Sequence, residues 1–256
     1  MSQAAGTEHA PVRLKIAYLC DHSPKLTWSH SGGNTRLYNA LQKHVGDVTI
    51  LSNSWGAVNC VRKLVEKLPL SINLRARFRI HLLLSRIIAR HVAKELAKGE
   101  YDVLFCPYAY FCLANLKLPY PIVTVFSSDS TYWAYKYSKV GAAFGSFFSF
   151  SRMFDSAIFR AEREVYRSTD LCLWPSSWIK RSADTLYGLS ESQSHMVHWG
   201  ANIAPPDESS LRIQNPITDE VKLLLVGRDW VPKGGPAVVK ILLALQSQGV
   251  RAHLTV

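Results

Sequence analysis

The sequence predicts a doubly wound α/β fold with a parallel sheet, followed by the start of a second unit of the same kind. Three observations predict it. Short apolar runs recur along the chain, longer stretches with helical spacing separate them, and loops bearing glycine or serine follow them. Strands that are apolar on both faces need cover on both faces, and a parallel sheet between helices provides it.

Each element follows in order. Residues 1–12 read as a flexible tail with no apolar core, hence no signal peptide. Leu14–Cys20 is almost wholly apolar and reads as a buried first strand. Gly33–His44 reads as a helix and Val48–Ser52 as the second strand. Val58–Leu68 and Arg75–Lys98 read as helices, and Asp102–Cys106 and Ile122–Phe126 as short strands. Arg152–Arg167 reads as helical and Leu171–Trp174 as a strand. Ser177 can cap a helix that runs to Tyr187, where Gly188 ends it. His195–His198 is a last short strand, so residues 13–203 form one domain. Residues 204–220 carry Pro205, Pro206 and Pro216 among serines and acids, and read as a linker. Residues 221–256 read as the beginning of a second, incomplete domain: a strand at Leu223–Val226, a helix at Ala237–Gln248 and a strand at Ala252–Val256.

Composition sets the class of partner. The chain is 48% apolar and 19% charged, which suits a packed core rather than disorder. A formal charge of +11 points to anionic partners such as phosphates or an acidic membrane surface. No nucleic-acid-binding signature accompanies that charge. The cysteines, Cys20, Cys60, Cys106, Cys112 and Cys172, show no paired spacing and read as buried free thiols of a cytoplasmic protein. The histidines form no ligand pattern, so no metal is expected. The longest suspicious run, Val140–Ser151, is far short of the ~20 residues that a spanning helix needs.

Five segments carry candidate chemistry. Gly227–Gly235 follows an apolar strand and precedes a helix, with Arg228 and Lys233 between its glycines. Free N–H groups at a helix start, the helix dipole and two cations together suit a diphosphate, although a solvated basic turn has the same composition. Gly32 and Gly33 open the first helix and would let a ligand approach the backbone, or would simply make a turn. Asp129, in a serine-rich loop after the fourth strand, suits either a proton-accepting or hydroxyl-binding role, or an Asx turn or helix cap. Tyr132 and Trp133 begin an aromatic-rich stretch that is part core and part acceptor-side loop. A basic segment, Val61–Lys98, holds ten Lys and Arg against two Glu. On its long helix Arg75, Arg79, Arg86 and Arg90 share one face, with Ile80, Leu84, Ile87 and Ile88 opposite them toward the sheet. That face suits an anionic membrane surface, or is a solvated helix flank.

Taken together, Pro175–Trp178, Tyr187-Gly188, His195–Asn202, Leu225–Arg228 and Lys233–Gly235 resemble the family-4 retaining glycosyltransferases of the GT-B fold. The resemblance implies two facing Rossmann-like domains with a nucleotide-sugar between them, the first holding the acceptor and the second the donor. It implies that Gly33, with Gly32 beside it, approaches the donor phosphates. Gly227 would make the tight turn, and Arg228 and Lys233 would neutralise the diphosphate without a metal. Asp129 would stand where relatives carry a histidine near the transferred sugar. The family's paired-glutamate motif is absent from this sequence, which implies a truncated donor domain and weak turnover. The expected activity is transfer of a hexose-like unit from a nucleotide-sugar to a glycan or lipid-linked acceptor, at the inner membrane face. The alternatives are a non-catalytic module binding phosphate or anionic lipid, and a nucleotide-sugar epimerase of the same fold.

Overall fold

The computed structural model describes residues 13–27, 29–51, 55–67, 70–138, 154–201, 207, 220–227, 230–231 and 233–256. The chain divides into two compact units, Met1–Asn202 and Ile203–Val256. The proline-bearing linker and the phenylalanine-rich run after residue 138 lie outside the described residues, apart from Asp207 and Glu220.

The first unit is a six-stranded parallel sheet. In chain order its strands are β1 (Leu14–Tyr18), β2 (Gly46–Ile50), β3 (Val103–Pro107), β4 (Val123–Ser127), β5 (Leu171–Trp174) and β6 (Ser194–Met196). They lie in the order β2-β1-β3-β4-β5-β6. Register is fixed by pairs such as Ile16↔Val48, Cys106↔Phe126 and Phe126↔Cys172. The helices of this unit are α1 (Gly33–His44), α2 (Asn59–Glu66), α3 (Leu70–Leu96), α4 (Tyr110–Leu113), α5 (Tyr132–Lys136), α6 (Asp155–Ser168) and α7 (Ser177–Tyr187).

Alternation along the strands divides the core in two. Ala17, Leu104, Phe126, Cys172 and Trp174 point to one face, against α3, α4, α6 and α7. Ile16, Tyr18, Phe105 and Val125 point to the other, against Leu37, Tyr38 and Leu41 of α1. Burying such side chains stabilises the fold by about 1.5–3 kcal/mol each.

Local chemistry explains the helix boundaries. Gly32 sits at φ 85°, a left-handed conformation that glycine tolerates, and α1 starts at the next residue. The cap of α7 is Ser176, not Ser177. Ser176 has extended backbone, so its hydroxyl can accept from the Ile179 N–H, whereas Ser177 is already helical. Gly188, at φ 67°, closes the other end as expected.

Two further readings change. The buried stripe of α3 runs through His81, Ser85, Ile88, Val92 and Leu96, and Ile87, expected toward the sheet, is 41% exposed. Cys60 is exposed, while the other four thiols are free and buried. Burial pushes the Cys20 and Cys172 thiols up to about 12, leaving them neutral and unreactive.

The second unit pairs β7 (Glu220–Leu224) in parallel with β8 (Arg251–Thr255), joined through α8 (Gly235–Ser247). Several of its apolar side chains are exposed, among them Leu224, Val226, Ile241 and Leu243.

Candidate functional site

The carboxyl ends of a parallel sheet are where α/β folds bind ligands, and four segments of the first unit meet there. The loop after β1 is held by several contacts. The Trp55 indole N–H donates to the Asp21 carboxylate at 2.7 Å, and Arg62 donates to the Asp21 carbonyl at 2.7 Å. The buried Tyr18 hydroxyl donates to Asn34 Oδ1 at 2.6 Å, and Asn34 Nδ2 donates to the His22 carbonyl at 3.0 Å.

On that loop His30 and Ser31 have φ 49° and 54°, and after β3 Tyr108 has φ 62°. Left-handed backbone at non-glycine residues costs energy and clusters at functional sites. Here it presents rings. The His30 imidazole stacks on the Tyr108 phenol, centroids 3.7 Å apart and planes 5° apart. Trp199 meets Tyr108 edge-on at 5.5 Å.

Beneath these rings lies a cavity of about 460 Å³. Gly33, Arg36, Leu37, Ala40 and Leu41 of α1 form one wall. Phe105, Ser127 and Leu173 at the strand ends form another, and Val197–Ala201 closes the set. Gly33 lines this cavity, with Gly32 preceding it as the α1 cap. Tyr108, Arg36 and Trp199 were not singled out. The signal that could have found them is position: each lies in a segment at a strand's carboxyl end.

Asp129 follows β4 and is exposed. Desolvation of its carboxyl raises its pKa above the ordinary value, against a backbone hydrogen bond that lowers it. Its charge adds to burial in raising the Tyr108 hydroxyl. Its loop is tied by the Ser128 hydroxyl, which donates to the Ser130 carbonyl at 2.7 Å, and by Thr131, which caps α5 through the Ala134 N–H.

Below that loop is a group the sequence reading missed. Glu162 of α6 is fully buried. Its carboxylate accepts from the Tyr132 N–H at 2.7 Å, the Trp133 N–H at 3.3 Å, the Tyr166 hydroxyl at 3.0 Å and the Tyr187 hydroxyl at 2.7 Å. Burial pushes it up to about 7 despite those four bonds. Tyr132 and Trp133, expected on the acceptor side, do not line the cavity. Tyr132 is buried, and Trp133 packs on Tyr137 and Phe159 at 4.7 and 5.1 Å.

In the second unit Arg228 lies outside the described residues. Lys233 lies against Gly227: a Cβ on Gly227 would come within 2.7 Å of Lys233 Cγ. Gly234 is left-handed at φ 88°, and a Cβ on Gly235 would strike the Trp230 ring at 2.1 Å. The glycines therefore allow close packing that brings the lysine stem onto the strand end.

The basic face of α3 is narrower than expected. Arg86 and Arg90 are exposed beside Leu83 (75% exposed) and Ile87. Arg79 departs from them: it is half-buried, with its guanidinium 4.9 Å from the Phe154 ring centroid. The Arg75 side chain lies outside the described residues. Among those residues no helix is long and apolar enough to cross a membrane.

A parallel sheet with a cavity at its carboxyl edge has that cavity where α/β folds bind ligands. The family model of Glycosyltransferase Family 4 matches residues 34–204, which include Tyr108, Asp129, Glu162 and Trp199. The chain belongs to glycosyltransferase family 4. A solved structure titled as the glycotransferase of kitacinnamycin is similar at 14% identity and a TM-score of 0.49, over 95% of this chain. The chain spans 65% of that structure's length. No curated protein sequence matches the chain.

Proposed function

We propose that this protein transfers a hexose-like unit from a nucleotide-sugar to a glycan or lipid-linked acceptor, with retention of anomeric configuration. The observation that carries the proposal is the convergence of Gly33, Tyr108, Ser127 and Trp199 on one cavity at the sheet's carboxyl edge. In this reading the first unit holds the acceptor. Asp129, its pKa raised above the ordinary carboxylate value by desolvation, takes the proton of the attacking hydroxyl or binds a sugar hydroxyl. In the second unit Arg228 and Lys233 meet the diphosphate. Charge builds on the departing nucleotide as the glycosidic bond breaks, so cations fixed on it lower the barrier.

The test is incubation with UDP-, GDP- and ADP-sugars, reading nucleotide release. Release with one donor, reduced about 10- to 100-fold in Lys233→Ala, supports the reading. Absence of both release and donor binding across the panel refutes it.

A second property of the same protein is peripheral attachment to an anionic membrane surface. Exposed Leu83 and Ile87 interleaved with Arg86 and Arg90 favour it.

A further inference from the structure

The candidate base, Asp129, sits in a loop whose two ends are held in different ways. One end is Ser127, the last residue of β4, paired inside the sheet with Pro107 of β3 and Leu173 of β5. The other is Tyr132, where α5 begins, with Ser128, Asp129, Ser130 and Thr131 between them. The sheet fixes the first end. The second depends on what holds α5.

A five-residue helix holds its own start poorly. Its first N–H groups have no acceptor within the helix. Thr131 accepts from that of Ala134, at 3.1 Å. The Tyr132 N–H donates to Glu162 Oε1 at 2.7 Å, and the Trp133 N–H donates to Oε2 at 3.3 Å. One planar group, 30 residues beyond Tyr132, thus fixes two successive amides.

Glu162 is itself held. The Tyr166 hydroxyl donates to Oε1 at 3.0 Å from the next turn of α6, and the Tyr187 hydroxyl donates to Oε2 at 2.7 Å from the end of α7. Glu162 is 0% exposed and both tyrosines are buried. At its other end α5 is tied to the same helix by the buried Lys136–Asp155 ion pair. The helix that leads away from Asp129 is therefore anchored to α6 at both ends. A base must stay within hydrogen-bond reach of the proton it takes, and a misplacement of about 1 Å can cost about 100-fold in rate.

We propose, on the transferase reading in which Asp129 meets the attacking hydroxyl, that Glu162 is a positioning residue for that step. By holding the first two amides of α5 it sets where Asp129 stands, without contacting substrate.

The test uses the full chain at about pH 8, where the Glu162 carboxylate is ionised. Glu162→Gln keeps the shape but turns an NH2 group toward donors, so an α5 amide loses its acceptor. Hydrogen exchange of residues 128–137 should quicken by about tenfold or more, with β5 unchanged. Nucleotide release from UDP-, GDP- or ADP-glucose, with water as acceptor, should lose about tenfold or more in kcat while the donor KM stays within about twofold. Asp129→Asn should lose at least as much, and the double variant should match Asp129→Asn within about twofold, because Glu162 acts through Asp129. Tyr166→Phe removes one hydroxyl from the carboxylate but leaves both amides on it, so exchange and release should stay within about twofold of wild type.

Unchanged exchange of residues 128–137 in Glu162→Gln overturns the proposal, as do multiplying losses in the double variant. A loss of the Glu162→Gln size in Tyr166→Phe overturns it too, even if Glu162→Gln does not fold, since general loosening of the buried cluster then accounts for the effect. Release by wild type that neither Glu162→Gln nor Asp129→Asn slows sinks the positioning role alone. No release by wild type from any of the three donors sinks the transferase reading, while exchange still decides whether Glu162 holds the loop.

Discussion

Glu162 is the most exposing place to test the physical account of this fold. It is fully buried and accepts from two backbone N–H groups and two tyrosine hydroxyls. Glu162→Ala would leave four buried donors without their acceptor. Unsatisfied buried groups cost about 1–3 kcal/mol each, and rotation of the two hydroxyls offsets part of that, so a loss of about 3–5 kcal/mol is expected. The sharper measurement is pH dependence. Burial raises this carboxyl from 4.5 to about 7, so the folded chain holds the proton more tightly than the unfolded chain does. Its contribution to stability is therefore complete below about pH 4.5 and is lost as pH rises through about 7. Glutamine cannot titrate, so Glu162→Gln removes the effect. Urea unfolding of both proteins between about pH 5 and about pH 8 isolates it. The stability of the wild type relative to Glu162→Gln should fall by about 2.5 kcal/mol over that window. A flat difference, or one that rises with pH, would show that the four hydrogen bonds outweigh burial and would refute the reasoning.

Other outcomes follow from single contacts. Ser194→Ala removes the acceptor of the buried Trp174 indole N–H, 3.0 Å away, and should cost about 1–3 kcal/mol by thermal or urea unfolding. Ser176→Ala removes the cap of α7 and should cost about 1 kcal/mol in the same assay. Gly227→Ala would place a Cβ 2.7 Å from Lys233 Cγ and displace that side chain. Nucleotide affinity should drop about tenfold, or about 1.4 kcal/mol, by calorimetry. Leu83→Asp with Ile87→Asp should abolish co-sedimentation with anionic vesicles at low salt. Both residues are exposed, so stability should change by no more than about 0.5 kcal/mol each.

Much of the sheet was legible because its signal is local. Leu171–Trp174 and Gly33–His44 carry apolar periods and terminal glycines or turns that mark their own ends, and the structure has both at those bounds. The two short helices were not legible: four residues at Tyr110–Leu113 and five at Tyr132–Lys136 are too few to show a period. They exist because neighbours satisfy them, Glu162 supplying the acceptor for two N–H groups of α5. The site divides in the same way. Gly33 announces itself as glycine at a helix start. Tyr108 does not, because a tyrosine becomes a site residue here only through left-handed backbone and a ring stacked on His30.

The sequence by itself determined the α/β class, the order of the strands and the longer helices, and a turn bearing glycines and a lysine after the first strand of the second unit. Those follow from side-chain period and backbone preference, which are properties of neighbours in the chain. Only the tertiary structure decided that Glu162, an acidic residue on a helix rich in charged side chains, lies buried under two tyrosines. It also decided that Arg79 leaves the basic face for Phe154, and that residues from α1, β3 and the segment after β6 enclose one apolar cavity. Burial, close ring contact and a shared proton affinity depend on atoms far apart in sequence, and they come into being only when the chain brings those atoms together.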